Sequence, residues 1–348
     1  MGVKSIVTNI KDVAKYLGIS VSTVSRALNH YPDVSPITKN QVMDAVEHLN
    51  YRPNAVAKGL IQKKTFTVGL MIPDISDPIC SLLAASVEKS FSDQGYQVVY
   101  GSTHRDPAKE KQFILNAISR QFDGLILTPD VLDEELVSLL SDLRMPVVFL
   151  QRRTPEGLNA PFVDVDHYHA ASAAVRNLIT RGHQRIGFIA MPASSFTGSE
   201  RKRGYLDTMS AYGLMPEMMG MVEGGRTIEQ GRTAMAELYQ RCPGLTAVFA
   251  ANDLLAVGAL EWLHQQHMNV PGQISVIGFD NLEHAALHWT QLTTMEQPTE
   301  EMGRKCALAM LRMMRDPKQL PVSELIEAKL IERGSVLNLN AIPVYTMN

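Results

Sequence analysis

The stretch from Val21 to Asn29, VSTVSRALN, combines small hydroxyl side chains with one arginine and one asparagine. Helical spacing turns Val24, Ala27 and Leu28 to one side. The opposite side then presents Val21, Ser22, Thr23, Ser25, Arg26 and Asn29. Hydroxyl and amide groups bind phosphates, an arginine fork fits guanine O6 and N7, and a valine can contact a thymine methyl group. This face therefore predicts a helix that reads bases in the major groove of DNA.

A preceding helix is predicted to support this face from behind. Asn9 suits an N-cap position, and Asp12 three residues later can accept from the free amides of the first turn. Gly18 can adopt the positive φ that ends a helix, and Ser20 then caps the next one. The apolar face of the preceding helix comprises Ile10, Val13, Ala14 and Leu17. The same pattern also fits an ordinary pair of surface helices, so the polar and basic outer face is what favours DNA binding.

A third helix and a short segment complete the N-terminal part. Ser35 and Pro36 suit the N-cap and first position of a helix that ends by about Tyr51. The following NAVAKGL, residues 54–60, has the composition of one or two helical turns. Such a short helix is marginal alone, and Gly59 weakens it by about 1 kcal/mol relative to alanine. We expect it to form only when something holds it.

Charge is distributed unevenly along the 348 residues, whose formal net charge is −3. Residues 1–64 contain nine Lys and Arg against four Asp and Glu, a net charge of +5. The remainder contains 24 basic and 32 acidic residues, a net charge of −8. This asymmetry indicates that only the first segment meets nucleic acid. With 45% hydrophobic residues, the chain can bury a large core in two or three domains.

The cysteines indicate neither disulfides nor a metal site. Cys80, Cys242 and Cys306 are widely spaced and have no Cys or His at metal-binding spacing, so free thiols are the default. We expect no cofactor and no metal. No N-terminal run resembles a signal peptide and no apolar stretch reaches the length of a membrane span. A cytoplasmic location without a membrane partner is therefore expected.

From Phe66 onward, short apolar runs rich in β-branched residues alternate with helical stretches such as residues 82–94. The first series is FTVGLMI, QVVYGS, DGLILTP, PVVFLQ and FVDVD, and the second is RIGFIA, MGMVEG, TAVFAA and ISVIGFD. This alternation predicts an α/β fold with parallel sheets, and two successive series predict two similar lobes. Ligands of such folds lie at the carboxyl ends of the strands.

Eight sequence motifs, spread over nearly the whole chain, form a recognisable set. They are DVAKYLGISVSTVSRALN, NYRPNAVAKGL, FDGLIL, LITRGHQRIGFIA, RKRGY, NDLLAVGAL, VPGQISVIGFDN and LTTMEQP. Together they resemble the lactose/galactose repressor (LacI/GalR) family of bacterial transcription regulators. The resemblance implies a repressor that binds a near-palindromic operator as a homodimer. A small sugar-like effector would control its operator affinity.

The resemblance also implies the domain organisation. A three-helix helix-turn-helix headpiece would comprise residues 1–52, a hinge helix and linker 53–65, and a two-lobed core like the periplasmic binding proteins 66–340. Lobe 1 would contain residues 66–165 and 296–322, and lobe 2 would contain 166–295 and 323–340. The chain would cross between the lobes near Asp166, Met295 and Val322.

Several residues match functional positions of the family. The base-reading positions are matched by Val21, Ser22 and Arg26. Leu60 matches the hinge leucine that inserts into the minor groove and kinks the DNA, and Asn54 and Ala57 belong to the same hinge segment. Gly59 stands where the family more often has a helix former, which makes folding of the hinge less favourable.

The principal effector contacts of the family are matched by Arg201 and Asp280. A guanidinium fork and a carboxylate can hold neighbouring hydroxyls of a small polar ligand. Asn252 and Asp253 open the helix after TAVFAA, where each side chain could face the cleft or cap the helix. Thr197 aligns with a smaller cleft contact.

Two departures from the family bear on the effector. Ile79 and Cys80 stand where relatives often have aromatic residues that stack on the ligand, and Arg226 stands at another such position. Arg152 is expected at the mouth of the cleft, after the fourth strand. Less stacking and up to three arginines favour an anionic effector, such as a sugar acid or sugar phosphate. Alternatively, Arg152 and Arg226 pair with acidic neighbours such as Glu223 or Glu229.

An enzyme and a DNA-free binding protein are the alternatives. A nucleotide-using enzyme would place a glycine-rich loop after its first strand, and IPDISDPIC has no glycine. No set of Ser, His and acid stands out, and His183 is expected to be structural, in a surface loop leading into a strand. A free-standing binding protein would be exported, and no signal sequence is present. The chain ends in NLNAIPVYTMN, without a leucine heptad, so a dimer is expected rather than a tetramer.

Overall fold

The computed structural model describes residues 8–52, 59, 64–215, 220–316 and 322–341. The chain divides after Thr65 into two compact units, 1–65 and 66–348. The first unit contains three helices, α1 (Ile10–Leu17), α2 (Val21–Leu28) and α3 (Pro36–His48). Their apolar faces pack into a small core of Val13, Ala14, Val24, Ala27, Val34, Val42 and Ala45. The three helices follow from local signals, because each begins at a residue whose side chain caps it.

The second unit contains two six-stranded sheets. The first sheet is formed by β1 (Thr67–Ile72), β2 (Gln97–Ser102), β3 (Gly124–Leu127), β4 (Val147–Leu150), β5 (Phe162–Val165) and β11 (Glu324–Ile326). The second is formed by β6 (Ile186–Ala190), β7 (Met221–Glu223), β8 (Ala247–Ala250), β9 (Ser275–Asp280), β10 (Thr293–Glu296) and β12 (Lys329–Ile331). The strand orders are β11-β5-β4-β3-β1-β2 and β12-β10-β9-β8-β6-β7. All neighbours are parallel except β10 and β12.

Helices connect the strands of each lobe. Lobe 1 contains α4 (Pro78–Ser92), α5 (Pro107–Ser119), α6 (Glu134–Ser141) and α11 (Thr299–Arg315). Lobe 2 contains α7 (His167–Thr180), α8 (Phe196–Ala211), α9 (Ile228–Arg241) and α10 (Asp253–Gln265). Helices α9 and α10 approach closely at Gly258, where a Cβ atom would lie 2.0 Å from the carbonyl oxygen of Ile228. The expected α/β architecture with two parallel-sheet lobes is confirmed.

The chain crosses between the lobes three times. The first crossing follows β5 and the second follows β10, close to the positions expected from the sequence. The third differs, because Glu324–Ile326 pairs with β5 in the first sheet and Lys329–Ile331 pairs with β10 in the second. The boundary drawn near Val322 therefore moves to Glu327 and Ala328. Short strands of mixed burial give no clear alternation in the sequence.

His183 also differs from the expectation of a surface loop. Its side chain is buried, with Nδ1 3.1 Å from the Thr246 hydroxyl and Nε2 3.1 Å from both the Leu337 carbonyl oxygen and the Ser275 hydroxyl. These contacts hold the C-terminal segment against β8 and β9. Among the described residues, no helix is long and apolar enough to cross a membrane.

Candidate functional site

Side-chain caps fix where α1 and α2 begin, and thereby which face of α2 is exposed. Asn9 and Asp12 form a reciprocal capping box at the start of α1, which ends at Gly18 with a φ of 66°. The Ser20 hydroxyl then accepts from the Thr23 amide at 3.1 Å and starts α2. Because Val24 and Ala27 are buried beneath this helix, its opposite face turns to solvent.

The candidate DNA-reading residues lie on that face as expected. Val21, Ser22, Arg26 and Asn29 are exposed, and Thr23 and Ser25 are half-buried. Arg26 forms an ion pair with Asp33 and lies 5.6 Å from the centre of the Tyr31 ring. The Asn29 amide donates to the Ser25 carbonyl oxygen at 2.8 Å. Arg26 is thus held on the exposed surface by contacts that water and salt can weaken. The hinge candidates Asn54, Ala57 and Leu60 lie outside the described residues.

A cavity lies between the lobes of the second unit, at the carboxyl ends of the strands of both sheets. Its lining includes Pro73, Asp77, Ile79, Cys80, Arg105, Thr128, Pro129, Asp130, Gln151, Met191, Thr197, Arg201, Arg226, Asn252, Asp280 and Gln297. The expected residues Thr197, Arg201, Arg226, Asn252 and Asp280 are therefore brought together. None of the described residues that line it is aromatic.

Several lining residues have a left-handed backbone. The φ angles are 61° at Arg105, 56° at Gln151 and 124° at Asp280. This conformation is unfavourable for residues with a Cβ atom, and it is concentrated at functional sites. The strain is located where strands end and their side chains turn into the cavity.

Arg201 and Asp280 form a buried pair on the lobe 2 side. The Arg201 Nη1 atom lies 3.3 Å from Asp280 Oδ1 and donates to the carbonyl oxygen of Ala251. The guanidinium also stacks over the Phe279 ring at 3.7 Å. Burial raises the pKa of Asp280, and Arg201 opposes that rise. A ligand hydroxyl reaching this pair would meet a fixed donor and a fixed acceptor.

Hydrogen bonds through two glutamines connect the Arg201–Asp280 pair to lobe 1. Gln297, at the second crossing, donates to Asp280 Oδ1 at 2.6 Å and accepts from the Gln151 amide at 3.1 Å. On the other side, Arg201 Nε donates to His167 Nδ1 at 3.4 Å, and His167 Nε2 lies 3.3 Å from Asp164 Oδ1. Burial lowers the pKa of His167, which favours the neutral ring. The site is therefore connected by polar contacts to two of the lobe crossings.

Asn252 takes both roles considered for it, whereas Asp253 neither caps the helix nor lines the cavity. Asn252 caps α10 by accepting from the Leu255 amide at 2.8 Å, and it also lines the cavity. Asp253 is fully buried and accepts from the Leu282 amide at 2.8 Å and the Thr294 hydroxyl at 2.6 Å. Asp253 therefore joins α10 to β10, and Asn252 serves as both cap and lining residue.

Arg226 reaches across the cavity to lobe 1. Its Nη2 atom lies 2.9 Å from Asp130 Oδ2, and Arg105 Nε lies 2.9 Å from the same oxygen. Arg105 also lies 3.5 Å from Asp74 and 3.4 Å from Asp77. The acidic partner of Arg226 is thus Asp130 of the opposite lobe, and Glu229 instead pairs with Arg232. The expectation that Arg226 pairs with Glu223 or Glu229 is therefore wrong.

Arg152 is placed differently from the expectation. Its Nη1 atom donates to the backbone oxygen of Asp130 at 2.9 Å, and its guanidinium lies 4.4 Å from the centre of the Phe196 ring. It supports the lining from outside the cavity, because the turn after β4 directs Gln151 inward. The third arginine of the cavity is Arg105, which the sequence reasoning did not identify.

Four residues that line the cavity were not predicted from the sequence, namely Arg105, Asp130, Gln151 and Gln297. The first three closely follow β2, β3 and β4, where the rule for parallel sheets places ligand contacts. That signal was available, but it does not distinguish lining residues from their neighbours. Ile79 and Cys80 do line the cavity, and burial raises the pKa of the Cys80 thiol to about 12. Within the described ranges, no group of three or more His, Cys, Asp or Glu could hold a metal.

Comparisons with known proteins agree with this arrangement. Residues 9–54 match the model of bacterial regulatory proteins of the lacI family, and residues 175–336 match a periplasmic binding protein-like domain. The HTH-type transcriptional repressor CytR of Escherichia coli (strain K12) is 33% identical over 94% of this chain and 95% of its own.

Two solved structures are similar over the same extent. A lac repressor dimer bound to operator and the anti-inducer ONPF is 25% identical, with a TM-score of 0.88 over 95% of this chain and 99% of its own. A complex of the regulator CelR with cellobiose is 30% identical, with a TM-score of 0.71 over 94% and 99%.

Proposed function

The chain belongs to the lacI family of bacterial regulatory proteins, and from this premise we propose that its effector is a small anionic carbohydrate, such as a sugar acid or sugar phosphate. As a member of this family it is a DNA-binding transcriptional repressor, controlled by a small molecule bound in its core, and it acts as a dimer. The relatives reported above are transcriptional regulators rather than enzymes.

The observation that carries the proposal is the convergence of three arginines on a cavity without aromatic lining. Arg105, Arg201 and Arg226 all line it. Three aspartates balance them; burial raises the pKa of Asp77 and of Asp280, and Arg105 and Arg201 respectively oppose that rise. Guanidinium groups bind carboxylates and phosphates through two parallel hydrogen bonds. The described lining offers no aromatic ring on which a neutral sugar ring could stack.

The test is calorimetric titration with a matched set of glucose, gluconate and glucose 6-phosphate, followed by other sugars and their acids. We expect acidic ligands to bind the wild-type protein more tightly than neutral analogues. Arg226→Ala should weaken acids far more than neutral ligands, because the charge-assisted bond is lost only for the acid. Arg232→Ala is the matched control, since Arg232 lies on α9 and pairs with Glu229 on the surface. Tighter binding of neutral sugars, or equal losses at Arg226, would contradict the proposal.

The DNA-binding role is proposed for the exposed face of α2 and for the hinge. Bases would be read by Val21, Ser22, Thr23, Ser25, Arg26 and Asn29, with Asn54, Ala57 and Leu60 acting in the minor groove. A dimer carries two such faces, so its operator would be near-palindromic. Because the operator is DNA within the cell, we also propose a cytoplasmic location.

Control of the operator would pass through the hinge. An effector changes the balance between two lobe arrangements only through its different affinity for them. Arg201 and Asp280 are linked to the crossings by Gln297 and His167, so occupancy of the cavity can alter how the lobes close. A short hinge helix is marginal alone, so its order would depend on that closure and on DNA.

A further inference from the structure

The carboxylate of Asp130 is held in the cavity by cations from both lobes. Arg226 follows β7 in lobe 2, and Arg105 follows β2 in lobe 1. Both guanidiniums lie 2.9 Å from one atom, Asp130 Oδ2. One carboxylate oxygen of Asp130 is therefore shared by two guanidiniums, one from each lobe.

The backbone directs both arginines to that point. Arg105 and the preceding His104 have φ angles of 61° and 54°, which turn the loop after β2 toward the cavity. Arg226 follows Gly224 and Gly225. A Cβ atom on Gly224 would lie 2.4 Å from Ile189, and Gly225 has a φ of 77°. Neither loop would need this geometry merely to place an arginine on the surface.

From this geometry we propose that Asp130 is an internal substitute for the effector's acidic group, and that an anionic effector binds by displacing the Asp130 carboxylate from Arg226 and Arg105. The inference rests on the proposed anionic effector and adds a mechanism to it. A ligand carboxylate or phosphate presents the same kind of oxygen as Asp130, so it can take over both contacts. A neutral sugar cannot, because Arg226 would then lose its ion-pair partner in a largely buried place, and Arg105 would keep only Asp74 and Asp77.

The Asp130 carboxylate can move out of the cavity without being left buried and unpaired. Its side chain is 15% exposed, and Arg152 binds only its backbone oxygen. The carboxylate can therefore rotate toward solvent while its loop stays in place. The exchange would replace the contact between Arg226 and Asp130, which joins the lobes, with a contact between Arg226 and the ligand, so binding can change how the lobes close. Of the two arginines, Arg226 is the one that spans the lobes, because Arg105 and Asp130 both belong to lobe 1.

The test compares inorganic phosphate binding to the wild-type protein and to Asp130→Asn by calorimetric titration. This substitution keeps the shape and removes the competing charge, so we expect phosphate to bind at least tenfold more tightly. Asp74→Asn is the matched control, because it removes a carboxylate 3.5 Å from Arg105 that makes no ion pair with Arg226. We expect less than a threefold change there. Arg226→Gln should weaken phosphate in the wild-type background.

The outcomes separate this inference from the proposed function. Phosphate binding that is unchanged or weaker in Asp130→Asn would overturn the displacement mechanism, even if acidic sugars bind the wild-type protein. A preference of the wild-type protein for neutral sugars would overturn the anionic effector, whatever Asp130→Asn does. If Asp130→Asn does not fold, as judged by thermal melting, unchanged phosphate affinity in Arg226→Gln overturns the mechanism.

Discussion

Two arginine–aspartate pairs, one in the headpiece and one in the core, show how burial changes the role of the same chemistry. The side chains of Arg26 and Asp33 are 51% and 48% exposed, whereas those of Arg201 and Asp280 are 3% and 7% exposed. An exposed pair contributes about 0 to 1 kcal/mol, so Arg26 can leave Asp33 for a base. Breaking a buried pair leaves a charge without a partner, so Arg201 is fixed. The half-buried Arg105 and Arg226 lie between these extremes.

The largest effect should follow from removing Arg201. We expect Arg201→Ala to lower the free energy of unfolding by about 3 to 5 kcal/mol, because Asp280 loses its buried counter-charge. It should also abolish the response to effector. Where the variant is folded, DNA binding should stay near normal, because the headpiece is a separate unit.

Urea unfolding and operator titration measure these effects. Arg203→Ala is the control, since Arg203 is also on α8 but is 54% exposed and pairs with Glu200. A similar loss of stability in both variants would remove the distinction between the buried and exposed pairs.

Glu110 extends the comparison to a buried acid that forms no ion pair with any described residue within 4.0 Å, although Arg152 lies close enough to interact with it. Glu110 is 2% exposed, and burial, with a further contribution from Asp130, raises its pKa from 4.5 to about 7. The folded state therefore holds a proton that the unfolded state loses, and this group lowers stability as pH rises between those values. We expect Glu110→Gln to stabilise the protein by about 1 to 3 kcal/mol at about pH 8 and by little at about pH 5.

Thermal and urea unfolding at the two pH values test this prediction. The exposed Glu156→Gln controls for the change in net charge. A gain that is the same at both pH values would show that the carboxyl of Glu110 is not the cause.

Arg26→Ala tests the exposed member of the comparison. We expect operator affinity to fall by about 1 to 3 kcal/mol and the preference at one guanine to relax. Stability should change by less than about 1 kcal/mol, because the pair with Asp33 is exposed. Competition gel shifts with a randomised operator measure both affinity and preference. Lys11→Ala is the control, and any loss there should be uniform across sequences. Unchanged selectivity in Arg26→Ala would remove α2 as the reader.

The smallest effect is expected from Asp33→Asn. Arg26 loses a competing carboxylate, so binding to non-operator DNA should strengthen by a few fold, with a steeper dependence on salt. Stability should change by less than about 1 kcal/mol. Fluorescence anisotropy with a non-operator duplex at several salt concentrations provides the measurement. Weaker binding would mean that Asp33 positions Arg26 for DNA rather than restraining it.

Features set by neighbouring residues could be predicted from the sequence. The caps at Asn9 and Ser20 depend on side chains within three residues, and β1 to β9 follow from short apolar runs, whereas β10, β11 and β12 were not predicted. The resemblance located Arg201 and Asp280. The cluster around Asp130 could not be predicted, because its members follow three different strands and meet only after the lobes pack. Arg152 was misplaced for the same reason, since the direction of one turn decides whether it or Gln151 enters the cavity.

The left-handed residues around the cavity bear on how this protein could adapt to heat. Replacing such residues by glycine relieves backbone strain, and each relief can outweigh the entropy that glycine adds to the unfolded chain. Selection for a higher melting temperature alone would therefore favour glycine at Arg105 and Gln151, but not at Asp280, whose loss would leave the buried Arg201 unpaired. Each of these replacements would remove a side chain that lines the cavity. In a more heat-resistant descendant, the affinity for the operator would consequently no longer respond to the effector.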